Sequence, residues 1–323
     1  MGVYHLMGLG RSPGTVIGPL TYLAHRYRRW NADDQRFFAR SGEAHQRAAG
    51  EKVGDVQAIV LFTTREVLNG EVLALNYVDN PPARIAEGPV RDPGPMKEVL
   101  RHLLRREWPA ISGGRREGAL FWCEIDRRNI RNTYERIVRV VAALAGTGGQ
   151  GKEMWANLTG GNNVINVALE LAAMLSGDVA RLYYVQAENQ AAEKCVRFTA
   201  ENGYWVELPV MPLALGRLSR TIVSLLSELG PAALDELYSI LRNDYWDLSR
   251  GLTSAEVLRA EYLAPLWKQG LIAEEKGSYV VGPQWELIRP YQEILEQARR
   301  AALSVEQLAE RENWIEKEEL DLK

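Results

Sequence analysis

Residues 3–20 read VYHLMGLGRSPGTVIGPL: an apolar run, a loop holding three glycines and a proline, then a second apolar run. The first run, Val3–Gly8, is almost continuously apolar, which suits a strand buried on both faces. Thr15–Arg29 has helical character, and Pro13 presets its first turn. Strand, glycine-bearing loop, helix is the opening unit of an open α/β sheet, and the alternation continues to about residue 210. Strands are expected at Gln57–Thr63, Ala119–Ile125, Glu153–Leu158, Ala180–Val185 and Trp205–Val210. Helices are expected at Met96–Arg106, Asn129–Leu144, Asn163–Leu175 and Ala191–Asn202. Asn129–Leu144 places Ile130, Tyr134, Ile137, Val141 and Leu144 on one stripe.

The pattern predicts an α/β fold, a Rossmann-like doubly wound, mostly parallel sheet over residues 1–212. PVMPLALG at 209–216 reads as a linker. Beyond it come a helix at Leu218–Leu229 and another at Pro231–Arg242, with Pro231 in the first turn. A third helix spans Thr253–Gln269, opened by a capping box of Thr253 and Glu256. Two short apolar runs around Lys276–Gly277 complete a winged helix-turn-helix layout over 217–285. Residues 286–323 read as a helical, charged tail, with the carboxylates of 316–321 in solvent.

Composition narrows the class. The 323 residues are 46% hydrophobic and 25% charged, which excludes a disordered, collagen-like or disulfide-scaffold chain. No apolar run reaches the ~18 residues of a membrane span, so no membrane partner is expected. MGVYHLMGLGRSPG lacks a basic n-region and reads as a first strand, not a signal peptide. The two cysteines, Cys123 and Cys195, form no motif, and a reducing cytoplasm is expected. Charge is unevenly spread. Residues 217–323 hold 13 Lys and Arg against 19 Asp and Glu, a net of −6, whereas residues 1–216 hold 26 against 23, a net of +3.

Two loops carry the candidate site. Gly8-Leu9-Gly10-Arg11-Ser12-Pro13-Gly14 leads from the first strand into its helix. Free N–H groups at Gly14–Val16, the Ser12 hydroxyl and the Arg11 cation make it anion-binding in character. It is not a dinucleotide fingerprint: GxGxxG would need Gly at 13, and no acidic residue closes the second strand. No NAD, FAD or other cofactor is therefore expected. Asn157-Leu158-Thr159-Gly160-Gly161-Asn162-Asn163 is a second strand-to-helix loop. Its glycines admit a close backbone approach, and Asn162 serves equally as a helix cap. Ligands of open α/β sheets bind at such carboxyl ends.

A G-x-SP loop after the first strand, paired with a later N-x-TGG loop, resembles the CRISPR-associated Rossmann fold (CARF) family. Here the motifs stand as Gly10-Arg11-Ser12-Pro13 and Asn157-Leu158-Thr159-Gly160-Gly161-Asn162-Asn163. The resemblance covers about residues 1–210, and a following winged helix matches both the family's ring nucleases and its transcription regulators. It implies a homodimer that binds a cyclic oligoadenylate, usually the tetra-adenylate, across a two-fold axis. For a ring nuclease it implies metal-independent cleavage, a ribose 2′-hydroxyl attacking the adjacent phosphate. Ser12 would position the reacting group and Arg11 offset charge. Gly10, Pro13, Gly14, Asn157, Thr159, Gly160, Gly161, Asn162 and Asn163 would bind the ligand. The family lysine after TGG-T is Asn163 here. That removes a cation for which Arg11, Lys152 or Lys194 offer substitutes.

Other signals are weaker. Histidine occurs only at 5, 25, 45 and 102, so the C-terminal half lacks the R-x(4–6)-H motif of a HEPN ribonuclease. Arg40 and His45 match that spacing but read as a solvated loop. Scattered His and Cys disfavour zinc. Arg26, Arg28 and Arg29, with Tyr27 and Trp30, read as a helix end before a nucleic-acid patch. The presumptive recognition helix holds Glu256, Arg259, Glu261 and Lys268, a net of zero, with a kinking Pro265. Together with the acidic C-terminal half, this argues against DNA binding.

Overall fold

The computed structural model describes residues 2–39, 52–79, 90–91, 94–114, 117–146, 152–188, 194–210 and 216–320. The chain divides into two compact units, one of 1–211 with 297–323, the other of 212–296. The first unit contains β1 (Val3–Gly8), α1 (Gly14–Arg29), α2 (Ala32–Phe38), β2 (Val56–Thr63), α3 (Arg65–Leu68), β3 (Tyr77–Val78), β4 (Val90–Arg91), α4 (Met96–Ile111), β5 (Ala119–Glu124), α5 (Ile130–Ala145), β6 (Glu153–Asn157), α6 (Asn163–Ser176), β7 (Arg181–Ala187) and β8 (Gly203–Leu208). The second has α7 (Arg217–Leu229), α8 (Leu234–Asp244), α9 (Ala255–Val257), α10 (Ala264–Lys268), β9 (Ile272–Glu275) and β10 (Ser278–Val281). The remaining elements are α11 (Pro283–Ala301), α12 (Val305–Arg311) and β11 (Ile315–Glu319).

Seven strands form one sheet in the order β11-β5-β2-β1-β6-β7-β8. The five from β5 to β7 are parallel, and β8 and β11 add antiparallel edges. This is the α/β, Rossmann-like sheet that the strand–helix alternation predicts. Every residue of β1 is buried, as a central strand covered on both faces requires. From β1 the chain moves outward through β2 to β5, then jumps back to β6 and on to β7. Right-handed crossovers put α1 and α4 on one face and α5 and α6 on the other. Val16, Ile17 and Leu20 of α1 join Leu100, Leu104 and Trp108 of α4 in one apolar cluster. The winding direction reverses between β1 and β6, which makes their carboxyl ends the topological switch point.

Two expectations change in this unit. Residues 195–202 of the expected helix Ala191–Asn202 form no helix. Cys195 pairs with Val78, and β7 meets β8 antiparallel, a pairing that needs no crossover helix. The charged run near the end is a strand and not a helical tail, although Glu316, Lys317 and Glu319 remain exposed as expected. It forms β11 against β5, and its period of two turns Glu316 and Glu318 toward cations at 97, 101 and 105 of α4. Lys97 lies 2.8 Å from Glu316, and Arg101 lies 2.7 Å from Glu318. Arg26, Arg28 and Arg29 do form the last turn of α1, where Arg26 and Arg29 lie 3.3 and 2.7 Å from the buried Asp34, which also caps α2. Arg40 and His45 lie outside the described residues, as does most of the expected linker.

The second unit has its own core, which includes Ile222, Leu226, Leu237, Leu241, Leu258, Leu263, Ile272 and Trp285. The hairpin β9–β10 is extended by Ala232, which exchanges two backbone hydrogen bonds with Tyr279 (3.0 and 2.8 Å). That pairing holds 231–232 outside α8, so Pro231 does not open the helix. The next helix starts one residue later than its expected box, capped by Ser254, whose Oγ accepts from Val257 N at 3.3 Å. Between α9 and α10, residues Leu258–Leu263 widen into a π-helical stretch, ending just before Pro265. A proline has no N–H to donate, and the widened turn absorbs the gap without breaking the helix.

Candidate functional site

The two glycine-bearing loops meet at the β1–β6 switch point. Their glycines serve the meeting itself. A Cβ on Gly8 would stand 2.8 Å from the Gly160 carbonyl oxygen, and one on Gly160 would stand 2.5 Å from Thr15 Oγ1. Gly161 takes a positive φ of 87° against the same backbone. The loops thus approach each other more closely than any side chain permits. Only Gly10 is nearly open, its closest neighbour being the Gly161 carbonyl at 3.9 Å.

Polar side chains lock the arrangement. Asn157 is fully buried, accepts from Thr159 N at 2.7 Å and donates to the Thr15 carbonyl at 3.4 Å. Thr159 Oγ1 accepts from Val185 N at 2.8 Å. Asn162 caps α6, accepting from Ile165 N at 3.0 Å. On the first loop, Thr15 Oγ1 donates to the Ser12 carbonyl at 2.8 Å, while Thr15 N and Val16 N turn onto the Ser12 and Pro13 carbonyls. The N–H groups left without an acceptor among the described residues are therefore those of Gly10, Arg11, Ser12 and Gly14, so of the three that the sequence implied only Gly14 keeps its N–H free.

Beside these loops lies a cleft of about 970 Å³. Its floor is the start of α1, with Arg11, Ser12, Gly14 and Thr15. One wall is residues 73–77, tied down by Leu75 N, which donates to the Arg11 carbonyl at 2.7 Å. The other is the end of β7, with Tyr184 and Gln186, closed by Leu158 and Thr159. Lys194 and Phe198 complete it. Among the described residues, both charged lining residues, Arg11 and Lys194, are cations, and no Asp, Glu, His or Cys lines it. Burial, reinforced by the Asp79 carboxylate, pushes the Tyr77 phenol up, so Tyr77 stays a hydrogen-bond donor at neutral pH. No acidic residue stands in the first turn of α1 or α6, which leaves both positive dipole ends unopposed.

The structure thus gathers Arg11, Ser12, Gly14 and Thr159 on one cleft. Gly10 and Pro13 sit in the same loop without lining it. Asn157, Gly160, Gly161 and Asn162 form the scaffold behind it, and Asn163 is an exposed first residue of α6. Lys152 precedes β6 at the opposite edge of the sheet. A five-residue strand separates it from the cleft by roughly 16 Å, so it supplies no cation there. Residues 73–77 and 184–187 carry no motif and were not legible as lining. They reach the cleft only through the strand order.

No family model matches the chain. A protein of Archaeoglobus fulgidus described as uncharacterized is 27% identical over 259 residues, covering 75% of this chain and 79% of that protein. Among solved structures, the chain is similar to Enterococcus italicus Csm6 bound to cyclic hexa-2′-fluoro-hexa-dAMP. That alignment has 11% identity and a TM-score of 0.37, covering 97% of this chain and 81% of that one. A RuvB mutant of Thermotoga maritima aligns at 12% identity and a TM-score of 0.19, covering 90% and 87%. Likenesses this distant decide nothing about activity.

Proposed function

We propose that the chain is a CARF-type sensor that binds a cyclic oligoadenylate, first of all cyclic tetra-adenylate, as a homodimer, and cleaves it. The observation that carries this reading is the convergence, in one cleft at the switch point, of Ser12 and Arg11 from the G-x-SP loop with Thr159 from the N-x-TGG loop. The surroundings suit a nucleotide. Two cations, a helix N-terminus and the N–H groups of Gly10–Ser12 serve phosphates. Leu73, Leu75, Val185 and Phe198 offer apolar surface for bases, and Asn76 and Gln186 offer amides for their edges. A ring of like nucleotides with its own two-fold symmetry matches a symmetric dimer carrying two copies of the cleft.

In the cleavage step the ribose 2′-oxygen bonds to the adjacent phosphorus and the P–O5′ bond breaks. The 2′-hydroxyl proton passes to water, and the departing 5′-oxygen takes one from water. The products are a 2′,3′-cyclic phosphate and a 5′-hydroxyl. The protein's part is to hold the hydroxyl in line and stabilise the phosphorane oxygens. Ser12 positions the reacting group, and Arg11 offsets charge.

The test incubates the full chain with labelled cyclic tri-, tetra- and hexa-adenylate in EDTA, reading retention on a filter and product on a gel. Retention with product from the tetramer is expected. Retention without product removes the nuclease reading and leaves a sensor. No retention of any ring overturns the proposal. A second reading, a ligand-controlled DNA-binding regulator with a winged helix, is supported by the order of α7–α10 and the β9–β10 hairpin with its Ala232–Tyr279 pairing. The exposed charges of α9–α10 and the stretch between them, Glu256, Arg259, Glu261 and Lys268, cancel, which weighs against it.

A further inference from the structure

We propose that Lys194 is the phosphate-binding cation of the cleft, in the role that the family resemblance gives to position 163. The inference rests on the reading of the cleft as a nucleotide site. It starts from the segment that was expected to be a helix and is instead a strap along α1. A Cβ on Gly14 would stand 2.7 Å from the Cys195 carbonyl oxygen. One on Gly18 would stand 2.9 Å from the Phe198 ring. Thr21 Oγ1 accepts from Phe198 N at 2.9 Å, and His25 Nδ1 accepts from Ala200 N at 3.3 Å.

Positions 14, 18, 21 and 25 advance by four, three and four, which is one face of a helix. Two glycines open a groove there, and two polar side chains pin the strap in it. On its other side the strap is held by Val196 N, which donates to the Val78 carbonyl at 3.1 Å. Its register is thereby fixed, and Lys194 falls at the first turn of α1, on the cleft beside Arg11 and Ser12. The strap carries a second cation, Arg197, which the fold neutralises: it lies 2.8 Å from Glu107 and 3.9 Å from Asp79. Lys194 has no carboxylate partner among the described residues. One cation is spent inside the molecule and the other is presented to the cleft. Asn163, by contrast, is uncharged and outside the lining.

The experiment measures retention of cyclic tetra-adenylate, with the tri- and hexa-adenylate in parallel, across a salt series. The full-length wild type is compared with Lys194→Ala, Lys194→Arg and Lys152→Ala. Lys194→Ala should weaken retention about tenfold and make the log–log salt dependence shallower by roughly one phosphate contact. Lys194→Arg should restore both, and Lys152→Ala should match the wild type. Wild-type retention with an unchanged affinity and salt slope in Lys194→Ala overturns this inference alone. Weaker retention at an unchanged slope overturns it too, because a lost structural contact carries no counterion release. Absence of retention by the wild type overturns the nucleotide reading and this inference with it.

Discussion

Ser12 stands immediately before the proline that opens α1. Its carbonyl is used by Thr15, and its hydroxyl has no protein partner among the described residues. A hydroxyl left over at a helix start is available to a ligand. Ser12→Ala should therefore slow single-turnover cleavage of cyclic tetra-adenylate by about 10²-fold, the usual loss of one transition-state donor, while retention changes little. Equal rates for the two proteins would remove Ser12 from the chemistry. His5 behaves differently. It is wholly buried on β1, its Nδ1 lies 2.9 Å from the Tyr183 hydroxyl, and burial, helped by the Arg181 charge, pushes it down to about 3. An unfolded histidine takes a proton near pH 6.5 and the folded one does not. Stability is therefore complete above that pH and falls as pH drops toward 3, by up to about 1.4 kcal/mol per unit. His5→Gln should lose less stability than the wild type between pH 7 and pH 4.5, as read from urea midpoints. Parallel losses would show that other groups govern the acid limb.

The contact between the two loops rests on missing side chains, which makes it brittle at one position and tolerant at another. Gly160→Ala drives a methyl into Thr15 and the Gly8 carbonyl and should cost about 1–3 kcal/mol. Gly10→Ala meets nothing closer than 3.9 Å and should be near neutral. Equal urea midpoints for the two variants would contradict the packing described. These elements also show where sequence is informative. The β1 loop and the TGG loop were legible because each motif is local, and β1 was bounded correctly by its almost continuous apolar run. The strap at 194–202 was not, because the alanines leading into it and its charges suit a helix and its true partners, Gly14 and Gly18, lie about 180 residues earlier. β11 was misread for the same reason. IEKEE reads as a charged tail until β5 and the cations of α4 are placed beside it.

The larger sheet is finished by a strand from beyond the second unit. Residues 212–296 are an insertion, and the chain returns to pair β11 with β5. The return buries Trp314, Ile315 and Leu320. Termination after Glu312 should therefore destabilise the larger unit and cause self-association, because the β5 edge, with its unpaired backbone, would be left as a template for another chain. Sedimentation would read this directly, and a monodisperse, fully stable truncate would show that β11 is dispensable.

The same connectivity sets the order of events during synthesis. At about 5–20 residues per second, β5 leaves the ribosome roughly 10–40 seconds before β11 does. For that interval the nascent sheet carries an uncovered edge. The second unit, with a core of its own, is translated within the same gap. Completion of the larger sheet thus waits on a segment made after the second unit.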